Sequence, residues 1–471
     1  MSFSALNTAL TSLRAQRRAM EMIGHNVANA NTDGYTRRRV DLDPAGHVSV
    51  GGVWSRPSST GNGVEVSGIT RMREDFVDMR VRQQLGVSGT ATRLATIYDQ
   101  IESLIPEPSD TGISAQMSAF WSAFSEAASR PGDLGTRSAV LSRATTLAGS
   151  LRTASEALGG YRTQLQADMS VTVSQLNSDI GEIASLNGAI VAAQAAGVDA
   201  GDLQDQRDLL IDRVVSTTGA TTKSEDDGSV SVFLGGKTLV RGTRTEGLAV
   251  TVGGPLDPPL DTLPFQQVSL RWAGDGYGVQ SLGGSLAADL DGIGRVVPNA
   301  LAQLDAVASA LVTSVNALHV TGHGLDATAD VGLNFFDPAG TTAATISLSA
   351  DVAGQPSRIA LAGGLEGDLG GALGHQIATL AESTTGPDSI FRNLVGRLGV
   401  EAQTAASSAA IQERISGQLQ QERQSATGVN LDEELAALVA SQRAYEAAAR
   451  ILTAADEMLD QLINRTGVVG R

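Results

Sequence analysis

Cysteine is absent from this 471-residue sequence, which excludes disulfide bonds, thiolate metal sites and cysteine nucleophiles. Lysine occurs only at positions 223 and 237, and aromatic residues make up 4% of the chain. The helical stripes at the two ends of the chain lie in sequence that is weak in aromatic residues and rich in Ala and Ser. Such a thin apolar face is marginal alone and needs partners.

Positive charge is also scarce. The formal net charge is -17 and the pI about 4.7, which disfavours a general nucleic-acid binder. No uncharged apolar run reaches the ~20 residues that cross a bilayer. The first residues lack the basic start and continuous apolar core of a cleavable signal peptide. We therefore expect neither nucleic-acid binding nor membrane insertion, and any export must use a route without a cleavable signal.

Enzyme motifs are missing, and three weaker patterns favour structural readings. The stretch GGKT at 235–238 ends like a P-loop, but Ser231 replaces a required glycine and the flanks predict a hairpin. His319 and His323 have the spacing of two metal ligands on a helix, although the glycines beside them favour a loop. The cluster of Asp202, Asp205, Asp208 and Arg207 allows acid–base chemistry, but acidic residues are favoured at any helix start. We expect no catalytic, cofactor-binding or metal site.

Both ends of the chain carry apolar residues at alternating spacings of three and four, the seam of a coiled coil. The first stripe contains Phe3, Leu6, Leu10, Leu13, Met20 and Val27, and the last contains Leu435, Leu438, Tyr445, Leu452, Leu459 and Ile463. We expect these residues to make helix contacts, between the two termini or between subunits. The first helix should end within 29–34, where turn-forming residues collect.

Between the ends, helical patterns dominate from about 73 to 215, with breaks at 105–112 and 130–135. Strand patterns separated by Gly and Pro turns follow, as in GSVSVFLGGKTLVRG. Helix returns at 286–320, a Gly-rich stretch with strand-like pieces such as ATISLS (344–349) covers about 325–385, and helix resumes to the end with a break near 427–428. The predicted fold is mainly α, an elongated multi-domain rod of long helices with small β modules inserted mid-chain.

The stretch NVANANTDGYTRRRV (26–40) resembles the N-terminal signature of bacterial flagellar axial proteins. The matching residues are Asn26, Val27, Ala28, Asn29, Thr32, Gly34 and Tyr35. The run Tyr35-Thr36-Arg37 is typical of the hook-associated members, whereas rod and hook proteins read differently there. The stretches GDLQDQRDLLIDRV and GVNLDEELAALVASQRAYEAAARILTAADEMLDQLI resemble the same members. Two positions depart from the usual pattern, His25 and Arg38.

The resemblance implies a non-enzymatic structural protein of the flagellum, which joins hook to filament and seeds filament assembly. Its partners would be copies of itself in a ring, the hook protein, a second hook-associated junction protein and, through it, flagellin. The chain would leave the cell unfolded through the flagellar type III export apparatus, with an export chaperone on its C-terminal region, and would end up extracellular. Asn26, Asn29, Thr32, Gly34, Tyr35 and Arg37 would form the hinge where the inner-tube helix ends.

The resemblance also implies a division of the chain. Residues 1–34 and 435–471 would be inner-tube helices paired antiparallel, and 35–220 a helical rod domain completed by 286–325 and 386–434. Residues 221–285 and 326–385 would be outer β modules. Three alternatives stay open: a hook or distal rod protein of the same family, a secreted hydrolase on a flagellar scaffold, and a cytosolic coiled-coil adaptor.

Overall fold

The computed structural model describes residues 3–45, 63–254, 266–325, 330–364 and 366–461, with the side chains of residues 3–5 excepted. The helices are α1 (Phe3–Ala28), α2 (Asp75–Leu104), α3 (Ile113–Ser129), α4 (Leu134–Ala195), α5 (Gly201–Thr218), α6 (Gly284–Asp291), α7 (Val297–His319), α8 (Ala372–Ala378), α9 (Pro387–Thr427) and α10 (Leu431–Asp460). A π-helical turn, Gly292–Val296, joins α6 to α7. The prediction of a mainly helical chain is confirmed.

The strands form small antiparallel sheets. A hairpin joins β1 (Arg38–Pro44) to β2 (Val64–Arg71), with Arg38 opposite Arg71. The mid-chain strands are β3 (Thr221–Ser224), β4 (Val230–Leu234), β5 (Lys237–Arg241), β6 (Arg244–Thr245), β7 (Leu248–Val252) and β8 (Val268–Trp272), which pair in the orders β3-β4-β5-β6 and β7-β8. The last two, β9 (Gly322–His323) and β10 (Ala362–Gly363), pair with each other.

The predicted Gly-Gly hairpin is confirmed. Gly235 and Gly236 lie between β4 and β5 with φ values of 56° and 83°, a conformation that glycine adopts without a Cβ clash. The GGKT stretch is therefore a turn and the start of a strand. The turn residues of the predicted hairpin at 61–63 fall largely outside the described residues.

The helices form a long shaft. α4 has 62 residues, about 90 Å at 1.5 Å per residue, and the neighbouring helices pack along it. α2 and α9 run side by side, with ion pairs such as Arg80–Glu422 between them. The main core follows α2, α3, α4, α7 and α9, and a separate small cluster of Val77, Val81 and Leu419 lies near the start of α2.

The α6–α7 segment, Gly284–His319, is long and apolar enough to cross a membrane by length and composition, with a mean hydropathy of 1.3. Half of that window is buried against the other helices. Leu301, Leu304, Leu311 and Val315 are buried in the core. The segment is therefore the central helix of the shaft.

Polar side chains hold the irregular segment that follows α7. Asn316 accepts hydrogen bonds from the backbone N–H groups of Phe335 and Phe336, each at 2.9 Å, and donates to the Phe336 carbonyl. These two rings stack with Phe120 and Phe124 of α3. The strand expected at 344–349 is wrong, because that stretch follows the turn so anchored and contributes only an isolated bridge between Phe336 and Leu348.

His319 also holds this irregular segment, through hydrogen bonds of both ring nitrogens. Its Nδ1 lies 2.7 Å from the Leu333 carbonyl, and its Nε2 accepts the Ala360 N–H at 2.9 Å. This geometry requires a neutral imidazole, and burial lowers the pKa of His319 to about 4, from an ordinary value of 6.5. His323 bonds to the carbonyls of Gly324 and Glu366. Both rings therefore serve the fold.

His319 should make folding stability depend on pH. The unfolded chain takes up a proton near pH 6.5, but the folded chain resists until about pH 4. The contribution of His319 is therefore complete above pH 6.5 and falls by about 3 kcal/mol as pH drops towards 4. Urea denaturation at pH 7 and pH 5 should show about 2 kcal/mol of this loss in the parent chain. His319→Gln should be less stable at pH 7 and show a flatter pH dependence; an equally steep one would contradict the assignment.

Candidate functional site at the base of the terminal helices

The turn after α1 is built by the asparagines of the sequence motif. The Asn29 amide donates from its side chain to the His25 carbonyl at 3.0 Å, which satisfies an end carbonyl of the helix. The Thr32 hydroxyl donates to Asn29 Oδ1 at 3.2 Å, and the Tyr35 N–H donates to the Thr32 carbonyl. The helix ends at Ala28, as predicted, and the chain reverses within seven residues.

Asn26 is the centre of the reversal and is almost fully buried. Its Oδ1 accepts the Tyr35 hydroxyl at 2.7 Å and the Arg38 N–H at 3.1 Å. Its Nδ2 donates to the Arg38 carbonyl at 2.9 Å and to Glu434 Oε2 at 3.0 Å. One amide thus uses both donors and its acceptor oxygen to join α1, β1 and α10. Because the end of α1 meets the start of α10, the two terminal helices run antiparallel.

Glu434 is the acidic counterpart, with a side chain 2% exposed. Arg37 donates from Nε to Glu434 at 2.7 Å and from Nη1 to Glu433 at 2.9 Å. The Arg37 N–H also donates to the carbonyl of Thr427, the last residue of α9. Arg37 therefore ties the turn after α1 to the break between α9 and α10.

Tyr35 packs between these groups. Burial raises the pKa of Tyr35 to about 12, so its phenol stays a donor at physiological pH. The His25 Nδ1 lies 3.0 Å from the hydroxyl, and the Arg38 guanidinium lies 5.2 Å from the ring centroid. His25 and Arg38, which depart from the usual family pattern, thus contact a residue that matches it.

Arg38 connects this turn to α5. Its side chain is 3% exposed and pairs with Asp205 at 2.9 Å, with Asp202, and with Asp199 at 3.5 Å. The acidic residues recur at 199, 202, 205, 208 and 212, which places them on one face of the helix and its entry. These carboxylates, which were considered for acid–base catalysis, therefore form ion pairs with arginine.

The same face continues as a network of six arginines and six aspartates. Its members are Arg38, Arg71, Arg73, Arg82, Arg207 and Arg423 with Asp78, Asp199, Asp202, Asp205, Asp208 and Asp212. They come from the β1–β2 hairpin, α2, α5 and α9. The formal charges cancel, so the network joins four elements without a net charge.

Buried ion pairs add little net stability, but removal of one partner costs about 3–5 kcal/mol because a charge is left unpaired. Arg207 illustrates the cost: burial and the neighbouring arginines lower its pKa to about 9. The Nε atoms of Arg38, Arg71 and Arg207 have no hydrogen-bond partner in the described part of the chain. Such a network favours one arrangement of the elements that it joins.

Gly34 brings the turn against α5. Its φ is +75°, and an added Cβ would lie 2.5 Å from Cγ of Leu209. The motif glycine is thus required both by backbone conformation and by close packing. Gly24 differs, because a Cβ there would meet nothing within 4 Å.

Alanines are among the buried positions of the two terminal helices. The buried positions of α1 include Ala9, Ala15, Met22 and Ile23, and those of α10 include Ala448. The predicted stripes are only partly covered: Leu10, Val27, Leu435 and Tyr445 are exposed, and Leu6, Leu13, Met20, Leu438, Leu452 and Leu459 are half-buried. The side chain of Phe3 and all of Ile463 lie outside the described residues.

Other cavities are distant from this site. A groove of about 670 Å³ lies between the 104–113 connection and the middle of α4. Within the described ranges, no group of three or more His, Asp or Glu side chains has the geometry to hold a metal ion. The site at the base of the terminal helices therefore offers ion pairs and packing surfaces.

Comparison with known proteins identifies the class. The family model described as the flagella basal body rod protein matches residues 6–36, and that of the flagellar basal body rod FlgEFG protein C-terminal matches 420–465. These two matches cover the paired terminal helices and Asn26 with Glu434. The chain is thus built as a flagellar axial protein.

The particular family follows from the rest of the chain. The family model described as the flagellar hook-associated protein FlgK helical domain matches residues 98–336. Flagellar hook-associated protein 1 of Bacillus subtilis is 30% identical over all of this chain and 99% of its own length, and that of Salmonella typhimurium is 26% identical over 98% and 99%. The chain belongs to the flagellar hook-associated protein 1 (FlgK) family, structural and non-enzymatic components of the hook–filament junction.

A solved structure agrees in fold. The flagellar hook junction protein FlgK from Burkholderia pseudomallei superposes with a TM-score of 0.63 at 16% identity, over 75% of this chain and all of that one. These matches decide the open alternatives. The helical-domain match separates the chain from rod and hook proteins, the family is not enzymatic, and membership of a flagellar family implies the flagellum rather than a cytosolic adaptor.

Two parts of the site were missed from the sequence. β1 was read as part of the turn, although Arg38, Arg39 and Val40 begin a strand. The motif arginines are expected to meet acidic neighbours, but the sequence did not identify the α5 aspartates as the partners of Arg38. Their spacing of three and four was visible and indicated a continuous acidic face, which needs a basic partner when buried.

Substitution of Asn26 should loosen the base of the terminal helices. Asn26→Ala removes one hydrogen-bond partner of Glu434, which keeps Arg37, and leaves the Arg38 N–H without its partner; it should cost about 1–3 kcal/mol locally. Asn31→Ala, at an exposed position of the same turn, is the matched control. Hydrogen exchange at 26–40 should accelerate strongly in the first variant and stay unchanged in the second. Equal protection in both would contradict the central role of Asn26.

Substitution of Gly34 separates conformation from packing. Gly34→Ala should destabilise the turn by about 1–2 kcal/mol through its positive φ, with a further steric cost from Leu209. Adding Leu209→Ala should recover only the steric part, as a double-mutant cycle would measure. Gly24→Ala in α1 should be neutral or stabilising by up to about 1 kcal/mol. Full recovery by the double variant would show that the backbone conformation imposes no cost.

Proposed function

We propose that copies of this chain form the ring between hook and filament and seed filament assembly. One side of the ring would bind the hook protein. The other would bind a second hook-associated junction protein and, through it, flagellin. The observation that carries the proposal is the antiparallel α1–α10 pair locked by Asn26 and Glu434, in a chain of this family. Homo-oligomers of this kind bury surfaces that one copy leaves open.

The terminal helices would make the subunit contacts of an inner tube. The α1–α10 pair leaves large apolar side chains exposed, among them Leu10, Leu435 and Val439. Contiguous exposed apolar surface marks an interaction site. The predicted contact residues, Phe3, Leu6, Leu10, Leu13, Met20 and Val27 with Leu435, Leu438, Tyr445, Leu452, Leu459 and Ile463, remain our proposal for this surface.

The turn at 26–37 would act as the joint between tube and rod. Asn26, Asn29, Thr32, Gly34, Tyr35 and Arg37 hold it by hydrogen bonds and close packing, while the apolar cluster beside it is small. Polar bonds of this sort have strict geometry, so they favour one orientation of the terminal pair over the shaft. The division 1–34, 35–220, 221–285, 286–325, 326–385, 386–434 and 435–471 remains the proposed domain scheme.

The chain would reach the outside of the cell through the flagellar type III export apparatus. An export chaperone would cover the C-terminal region before export. The exposed apolar residues Leu431, Leu435, Val439 and Ile451 of α10 support this step, because they need cover until assembly.

A deletion strain tests the junction role. Cells that lack the chain should assemble hooks but release flagellin into the medium and lose motility, and the wild-type gene should restore both. Electron microscopy of hooks and immunodetection of flagellin in the medium are the measurements. Deletion cells that still held filaments on their hooks would refute the proposal.

Two arginines of the turn provide a matched pair in the complemented strain. Arg37→Ala removes the partner of the buried Glu434 and should reduce filament retention. Arg39→Ala removes only an exposed pair with Asp41, the Arg39 side chain being 66% exposed, and should have no effect. Similar retention in both strains would refute the role of the turn as a joint.

A further inference from the structure

The two terminal helices have opposite net charges. Phe3–Ala28 contains Arg14, Arg17 and Arg18 against Glu21, a formal charge of +3 - 1 = +2 with His25 neutral. Leu431–Asp460 contains seven acidic residues (432, 433, 434, 446, 456, 457 and 460) and two arginines (443 and 450), a formal charge of +2 - 7 = -5. Contacts between like helices of two copies would therefore be repulsive, and contacts between unlike helices attractive.

The charges lie on the faces that the α1–α10 pair leaves open. Leu10, Arg14, Arg17 and Glu21 fall on one side of α1 at spacings of three and four, opposite the buried Ala15 and Met22. On α10, Val439, Arg443, Glu446, Arg450 and Glu457 are exposed on the side away from the buried Glu434 and Ala448. Each open face thus combines exposed apolar residues with exposed charge.

The register of the α1–α10 pair within one copy determines the position of each charge along the helix axis. Asn26 bonds Glu434, so in the antiparallel pair Arg17 lies level with Arg443, and Asp456 lies level with residue 4. A neighbour placed level with the first copy would bring Arg443 opposite Arg17 and Glu446 opposite Arg14, with Arg450 level with Leu10. Residues 443–450 of α10 therefore carry a net positive charge, +2 - 1 = +1, towards the basic face of α1. The acidic pair Asp456 and Glu457 lies 13 residues further along α10, about 20 Å at 1.5 Å per residue. Glu433 and Glu434 are already bound by Arg37.

We propose that neighbouring copies make a heterologous contact, in which the basic open face of α1 in one copy docks on the acidic C-terminal end of α10 in the next. The two copies are then displaced from each other by about 20 Å along the helix axis. A heterologous contact repeats without closing on itself after two copies, so it builds a ring or a helical tube. Because of the axial displacement, each successive copy lies further along the axis of the assembly. This inference rests on the proposed function and specifies the subunit contact of the same terminal helices.

Engineered cysteines test the contact cleanly because the chain has none of its own. Two single-cysteine chains of different tag length, one with Arg17→Cys and one with Glu457→Cys, are expressed together in the deletion strain, and isolated flagella are oxidised. A disulfide-linked heterodimer is expected. A single-cysteine chain cannot form an intrachain bond, so the α1–α10 pairing within one copy gives no signal.

The matched control replaces Glu457→Cys by Arg443→Cys, on the same open face of α10 but level with Arg17. The stepped contact predicts a heterodimer with position 457 and only background with position 443. Equal cross-linking at 443, or homodimers of either single variant as the main product, would overturn the inference. So would absence of the 457 heterodimer in flagella that retain filaments. Failure of the wild-type gene to restore filaments would instead refute the junction role.

Charge reversal supplies a second measurement that does not depend on cysteines. One chain carries Arg14→Glu, Arg17→Glu, Arg18→Glu and Glu21→Arg, which keeps opposite charges at 17 and 21 while the helix charge becomes -2. Another carries Asp456→Arg and Glu457→Arg. Each variant alone should fail to retain filaments. Co-expression should restore retention, because opposite charges then meet between the two chains, although neither chain regains opposite charges within itself. Full retention by either chain alone, or no recovery on co-expression, would overturn the proposal.

Discussion

The contacts of Asn26 with Glu434 and of Arg38 with the α5 aspartates are the constraint on which the rest of this structure depends. They connect the first helix to the last, and both to the shaft, at a point where little apolar core is available. The nearby apolar cluster comprises Val77, Val81 and Leu419 with Leu85 packed against it. Hydrophobic packing alone would leave the orientation of the terminal pair loosely defined, since it has no direction. Hydrogen bonds and ion pairs supply that direction.

A consequence is that the terminal helices can pair through small residues. Ala9, Ala15 and Ala448 allow close approach but bury little apolar area. Larger apolar residues such as Leu10 and Leu435 therefore stay available to neighbours. A fold that satisfied these residues within one chain would have no surface left for assembly, whereas this one leaves both an apolar and a charged surface on the outside.

The sequence predicted much of this, and for identifiable reasons. The helix end after Ala28, the break near 427 and the hairpin at Gly235-Gly236 depend on local turn chemistry, so they follow from neighbouring residues. The buried face of α10 was harder to predict. Leu435 of the predicted stripe is exposed, Leu438, Leu452 and Leu459 are half-buried, and the fully buried positions are Glu434 and Ala448. Periodicity detects apolar residues, but it does not say which partner covers them.

What the sequence determined by itself is the family, the succession of long helices with small sheets between them, and the lack of enzyme motifs. Each of these follows from local spacing or from residue types that are present or absent. Only the tertiary structure decided that Arg38 meets Asp199, Asp202 and Asp205, and that Glu434 meets Asn26 across 408 positions of the chain. It also decided that His319 is a neutral structural ring. These pairings depend on distances between remote segments, which no local pattern encodes.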